Sequence, residues 1–250
     1  MTIFYFTSTG NCLAVAKRIG GTLISIPQVV DSDKLHYKDD VIGLVFPIYN
    51  FTTPKIVRRF LDKVQIEADY TFAIGTYGNI AGAAMPDLQK SARGKGYRFD
   101  YVNQLLMVDN FLPIFEMGAQ IEKLPDKKVE ENLAAIMADI HSRKQNQMRA
   151  RLWTRAMTAI ISSGAISEDY AQKFSVNSLC NKCGICLKVC PRENIALTDQ
   201  VYWGDHCEAC LACVHLCPQN AIHLKGERSA MRWRNPDVTL AEIIAANSRR

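Results

Sequence analysis

Cysteine spacing constrains this chain more than any other feature. Cys180, Cys183, Cys186, Cys190 and Pro191 recur at one constant interval as Cys207, Cys210, Cys213, Cys217 and Pro218. Ile195 and Leu197 recur at the same interval as Ile222 and Leu224, so each copy ends in a short apolar strand pattern. The run C-x2-C-x2-C-x3-C-P is thus present twice. Three thiolates two residues apart can wrap three corners of an iron–sulfur cubane, while the short loop between them aims backbone N–H groups at the sulfurs. The fourth cysteine lies past a turn that proline fixes. Structural zinc sites instead pair two C-x2-C hooks per metal, and a triple hook with a trailing Cys-Pro does not match them. Eight of the nine cysteines fall in this segment, and Cys12 stands alone. Such crowding points to metal rather than disulfides. A segment of about fifty residues buries too little core to stand alone, so the metal would also staple it.

Residues 176–225 closely resemble the bacterial two-cluster ferredoxins. In that family the fourth cysteine of each run ligates the other cluster. The resemblance implies two [4Fe–4S] clusters, one on Cys180, Cys183, Cys186 and Cys217, the other on Cys207, Cys210, Cys213 and Cys190. His206 and His215 adjoin these ligands. Both are expected at the surface, because four thiolates per cluster are already supplied. Trp203 is expected in the core.

The rest of the chain reads differently. Strand patterns at 3–6, 23–26, 41–46, 70–75 and 101–108 alternate with helical patterns at 11–19, 54–64, 84–95 and 127–144. The run Val41 to Phe46 is apolar throughout, as in a strand buried on both faces. Alternation of this kind predicts parallel β-α-β units in a doubly wound α/β sheet, and five strands fit the order 2-1-3-4-5. Ligands bind such sheets beyond the carboxyl ends of the strands, so the loops after strands one, three and four are the ones to inspect. A basic connector, read as helical, spans about 145–175. A tail, 226–250, carries a short helical pattern at Leu240, Ile243 and Ile244. The expected division is 1–165, then a small α+β unit at 176–225, then the tail.

After the first strand comes Thr7-Ser8-Thr9-Gly10-Asn11-Cys12, and then a helix. A hydroxyl- and glycine-rich turn there is an anion site, because free N–H groups and the helix dipole favour phosphate. Gly10 is expected to let the backbone approach the ligand, and Asn11 to cap the helix. This turn resembles the flavodoxin FMN-phosphate loop T/S-x-T-G-x-T at Thr7, Thr9 and Gly10. Cys12 departs from it, since a hydroxyl is usual there and a thiol donates more weakly. Strand three ends in Pro47-Ile48-Tyr49-Asn50, and strand four in Gly75-Thr76-Tyr77-Gly78-Asn79. The equivalent flavodoxin loops hold the isoalloxazine. The resemblance therefore makes Tyr49 and Tyr77 stacking candidates, with Gly78 and Asn79 at the ring edge. FMN rather than FAD follows from the single phosphate loop and from the resemblance. The segment Asp109 to Gly118 is long and apolar for a loop. It could lid the flavin, dock the cysteine unit or cover core.

The whole resembles bacterial and archaeal fusions of a flavodoxin-like domain to a ferredoxin, a group that implies electron carriage. The expected function is electron transfer between two [4Fe–4S] clusters and FMN, linking one-electron and two-electron redox proteins. One alternative is a flavin reductase of a small substrate, although no acid, base or nucleophile constellation appears. Another is a ferredoxin on a flavin-free partner-binding scaffold. A net charge of +5 is too small and dispersed for nucleic acid. The basic run from Arg143 to Arg155 reads as a solvated helix face or a docking surface for an acidic redox partner. The longest apolar stretch, 156–166, falls short of the about 20 residues a membrane span needs. No basic n-region or long apolar core opens the chain, so a cytoplasmic location is expected. No G-x-G-x-x-G follows a strand, so nicotinamide is not expected as a direct donor.

Overall fold

A computed structural model describes residues 1–33, 35–164 and 168–248. Strands β1 (Thr2–Tyr5), β2 (Thr22–Ser25), β3 (Val41–Pro47), β4 (Tyr70–Tyr77) and β5 (Tyr101–Leu106) form one sheet in the order β2-β1-β3-β4-β5. All four pairings are parallel. The register sets Ile24, Phe4, Leu44, Ala73 and Val102 in one row, and Leu23, Ile3, Gly43, Phe72 and Tyr101 in the next. Because successive side chains point to opposite faces, the two rows enter different cores. The first row packs with Ile56, Val57 and Phe60 of α2 (Lys55–Lys63) and Leu88 of α3 (Ala84–Gly94). The second packs with Leu13 and Val15 of α1 (Asn11–Ile19) and Leu133, Ile136 and Ile140 of α4 (Val129–His141). This is the doubly wound, flavodoxin-like α/β order expected above.

The connector differs from its reading as helix. Arg143 adopts φ 52°, which turns the chain out of α4. Asn146 then pairs with the open edge of β5, donating its N–H to Asp100 O and accepting from the Val102 N–H. Groups left unpaired on a sheet edge outcompete local helix propensity here. Helix α5 begins only at Leu152 and runs to Gly164, and 165–167 of the connector lie outside the described residues. The basic run is therefore not one helix face. Lys144 pairs with Asp139, and Arg155 with Asp87.

The cysteine segment holds two small antiparallel ladders. β6 (Phe174–Val176) pairs with β9 (Ile222–Leu224), and β7 (Ile195–Leu197) with β8 (Val201–Trp203). One helical turn carries the third cysteine of each hook, Cys186 in Ile185–Lys188 and Cys213 in Ala212–His215. Val108, Leu112 and Met117 from the segment after β5 pack with Tyr170, Phe174, Ile195, Val214, Ile222 and Trp233. The tail then crosses back to the sheet. Helix α6 (Leu240–Asn247) is capped by a Thr239–Glu242 box and lies against α1. Ser25 Oγ donates to Ala246 O, and Asn247 Nδ2 donates to Val189 O. Val238, Ile243 and Ala246 share one core with Ile3, Leu13, Val189, Ala212 and Leu216. Among the described residues no helix is long and apolar enough to cross a membrane.

Candidate functional site

A cavity of about 370 Å³ opens at the carboxyl edge of the sheet, where β1 and β3 send the chain in opposite directions. Thr7, Ser8, Thr9, Asn11 and Cys12 form one wall, Pro47, Tyr49 and Asn50 the second, and Thr76, Tyr77, Gly78 and Asn79 the third. Gly10 does not line it. Its φ of 103° and its missing side chain serve a different contact, because a Cβ there would lie 3.0 Å from Asn235 Cβ and 3.1 Å from Val238 Cβ. Gly10 thus makes a close approach to the tail.

Neighbouring segments hold the first wall in shape. Thr7 Oγ1 accepts the Gly10 N–H, Ser8 Oγ accepts the Tyr49 hydroxyl at 2.8 Å, and Thr9 Oγ1 accepts Asn110 Nδ2 at 2.6 Å. Asn11 does not cap α1. Gly10 occupies the cap position, and Asn11 Oδ1 accepts from Trp233 Nε1 and Asn235 Nδ2. The sequence motif gave no hint of this tail contact, which lies over two hundred residues away. The backbone N–H groups of Ser8, Thr9, Asn11 and Cys12 meet no acceptor among the described residues. They stand at the positive end of α1, so the turn fits an anion. Cys12 Sγ contacts Thr76 Oγ1 at 3.1 Å. Burial pushes its thiol up to about 12, so it stays protonated and can serve only as a weak donor.

Tyr49 and Tyr77 both face the cavity, and Asn79 sits exposed at its rim. The chain at Asn50 and Phe51 turns through positive φ, 46° and 62°, which closes Tyr49 against Thr52 and projects the Tyr49 ring inward. Burial pushes the Tyr49 hydroxyl well above its ordinary range, with nearby Cys210 adding to the effect. The segment after β5 faces both the cavity and the cysteine unit. Asp109, Asn110, Phe111, Ile114 and Phe115 line the cavity, while Leu112 and Met117 pack on the cysteine unit. Helix α5 closes a further side through Ile161, and its Thr158 Oγ1 accepts the Ala83 N–H.

Two smaller cavities lie among the cysteines. One is lined by Cys180, Cys183, Cys186 and Cys217, the other by Cys190, Cys207, Cys210 and Cys213. All nine cysteines are free of disulfides. Among the described residues no group of His, Cys, Asp or Glu side chains could hold a single metal ion. Ligands of one zinc converge at about 2.3 Å on one point, whereas a cubane spreads its thiolates over four separate irons. Backbone N–H groups of Asn194, Ala209 and Ala221 each reach a cysteine sulfur, Cys190, Cys207 and Cys217 respectively, at 3.3 Å. Turning residues with positive φ, Lys182, Gly184, Ala209 and Leu211, shape both hooks into concave nests of N–H donors. Burial pushes the Cys186 and Cys207 thiols up to about 11 and Cys210 and Cys213 further. Four separate cysteines around each small cavity, with N–H groups at their sulfurs, fit the four irons of a cubane.

His206 is exposed, but His215 is buried, contrary to the expectation for it. Its Nε2–H donates to Asn110 O at 2.8 Å, and its Nδ1 accepts the Trp233 N–H. Trp203 stacks on Phe174. Lys127 escaped the sequence analysis. It is buried, and its Nζ donates to Gly78 O at 2.7 Å and Met107 O at 2.6 Å, tying together the loops after β4 and β5. Nothing in its local sequence marks it out.

No family model matches the chain, and no curated protein is similar to it. Among solved structures, a candidate flavoprotein from Bacteroides uniformis shares 19% identity over 42% of this chain and 89% of its own, with a TM-score of 0.32. The two-electron reduced flavodoxin of Megasphaera elsdenii shares 17% over 41% of this chain and 83% of its own, with a TM-score of 0.28. The fold described above rests on strand order and register and not on these similarities.

Proposed function

We propose that the chain is an electron-transfer protein holding FMN in the large cavity and two [4Fe–4S] clusters on the eight cysteines. When bound, the clusters supply one-electron exchange and the flavin one- or two-electron exchange. The carrying observation is that three sheet-edge loops and the second cysteine hook, at Ala209, Cys210 and Leu211, wall a single cavity. The N–H groups of Ser8, Thr9, Asn11 and Cys12 would hold the phosphate. Tyr49 and Tyr77 would flank the ring, with Gly78 and Asn79 at its edge. The lid residues Phe111, Ile114 and Phe115 would exclude water. Cys180, Cys183, Cys186 and Cys217 would hold one cluster, and Cys190, Cys207, Cys210 and Cys213 the other. Holding both redox groups in one chain keeps their effective concentration high without a diffusional encounter. Partners would be redox proteins that deliver and remove electrons.

Anaerobic purification followed by analysis of iron, sulfide and flavin tests this reading. The expected content per chain is about eight irons and about eight sulfides, as two four-iron clusters require, with one FMN. A colourless preparation, or one holding only zinc, overturns the cluster assignment. Failure to take up FMN on reconstitution overturns the flavin assignment and favours the flavin-free scaffold.

A further inference from the structure

The two cysteine runs match in local conformation but not in surroundings. Lys182 and Ala209, Gly184 and Leu211, and Glu193 and Asn220 occupy equivalent places, and all six have positive φ. In the first run Lys182, Cys183 and Lys188 are exposed. In the second, Glu208, Ala209, Leu211, Val214 and His215 are all buried. Two polar side chains bolt the second run to the sheet unit. Glu208 accepts the Lys55 N–H at the start of α2 at 2.9 Å, and His215 joins Asn110 to Trp233. Leucine at position 211 adopts the left-handed conformation that glycine occupies in the first run. Ala209, Cys210 and Leu211 line the flavin cavity, and none of Cys180, Cys183, Cys186 or Cys217 does so.

Resting on the function proposed above, we infer that the two cysteine sites are inequivalent terminals of one relay. The site of Cys190, Cys207, Cys210 and Cys213 is the inner terminal and the flavin's only cluster neighbour. The site of Cys180, Cys183, Cys186 and Cys217 is the outer terminal, where an external one-electron carrier exchanges at the exposed Cys183 edge. Each electron lost by a reduced carrier enters the outer site, passes to the inner site and leaves it for the flavin. Two such electrons with two solvent protons complete reduction of the flavin and return both cysteine sites to their starting state. In the opposite direction the same two electrons leave one at a time.

The test uses the reconstituted holoprotein and two variants, Cys183→Ala and Cys207→Ala, each expected to keep about four irons. The readouts are the FMN dissociation constant, by fluorescence titration, and the flavin midpoint potential. Cys207→Ala should raise the FMN Kd about tenfold, ~1.4 kcal/mol, and shift the potential. Cys183→Ala should change both by clearly less than Cys207→Ala does. Equal responses, or a response to Cys183→Ala alone, overturn the inference. Because Cys207 is half-buried and its replacement can disturb packing, the unmodified holoprotein supplies a second measurement. Iron is removed stepwise with a chelator, and alkylation with mass spectrometry reports which cysteines are released. Cys180, Cys183, Cys186 and Cys217 should be freed first, with the flavin circular dichroism unchanged until the other four follow. Release of the second set first, or a flavin change in the first phase, overturns the inference. A holoprotein lacking iron or flavin altogether would instead refute the function on which the inference rests.

Discussion

Lys127 carries more of the cavity's shape than its position in the chain would suggest. Its ammonium supplies donors to Gly78 O and Met107 O, two carbonyls that end adjacent strands. Burial lowers its pKa, and the charge of nearby Asp109 opposes that shift. Replacing Lys127 with Met keeps the stem and removes the donors. The buried Met107 carbonyl then loses this donor, a cost of about 1–3 kcal/mol, and the half-buried Gly78 carbonyl loses it at a smaller cost. Lys127→Met is expected to lower stability to chemical denaturant and to weaken FMN binding, since the loop bearing Gly78 and Asn79 loses its anchor. Unchanged midpoint and unchanged FMN titration would show that the loops are held otherwise. At this scale the sequence reading was uneven for a physical reason. Thr7 to Cys12 could be found because an anion turn needs hydroxyls, glycine and a helix start in a row. Lys127 and His215 could not, because one buried polar side chain meets partners distant in sequence, and its own neighbours look like ordinary surface.

Elements were legible where a periodic pattern met a stop signal, and illegible where a distant partner decided. Helix α1 runs over the residues expected, because Gly10 and Gly20 bracket an apolar face. The segment around Asn146 was misread because its polar sequence carries no strand period, and only the open edge of β5 gives it structure. The tail pattern at Leu240, Ile243 and Ile244 was visible as a helix, but nothing in it named α1 as its seat. That seat depends on Glu242, which accepts the Thr239 N–H at 2.7 Å and pairs with Lys17 at 2.7 Å. The Lys17 contact, then the Thr239 cap, lowers the Glu242 pKa to about 2. A carboxyl whose pKa falls on folding stabilises the native state fully above its ordinary value, and that contribution fades as pH drops toward the folded value. The tail helix should therefore loosen between the ordinary glutamate range and pH about 2. Glu242→Gln should show a flatter acid dependence in that window, read by amide hydrogen exchange over 240–247. An identical acid profile in wild type and Glu242→Gln would exclude this carboxylate as the cause. The pair is exposed, so solvent screening keeps its contribution small, and the change should be local to α6.

The molecule as a whole joins the cysteine segment to the sheet through buried surface and not through a free linker. Val189, Ala212 and Leu216, which lie among the cysteines of the two runs, share a core with Ile3, Leu13 and Ile243. Leu112 and Met117, downstream of β5, share another with Phe174, Ile195 and Ile222. A hinge between the units would have to open both cores, exposing apolar area at roughly 25 cal/mol per Å². It would also strip the partners of Glu208 and His215. Loss of the cysteine unit's structure should therefore remove support from the sheet, and the converse should hold as well. Under anaerobic guanidinium titration, cluster absorbance and far-ultraviolet circular dichroism should fall together in one transition, as coincident probes report a single cooperative unit. The opposing outcome is just as readable. If cluster absorbance is lost at a clearly lower denaturant concentration while the sheet's dichroism persists, the shared cores are weaker than the fold of the sheet unit itself. The cysteine site proposed as the inner terminal could then not stay fixed against the large cavity.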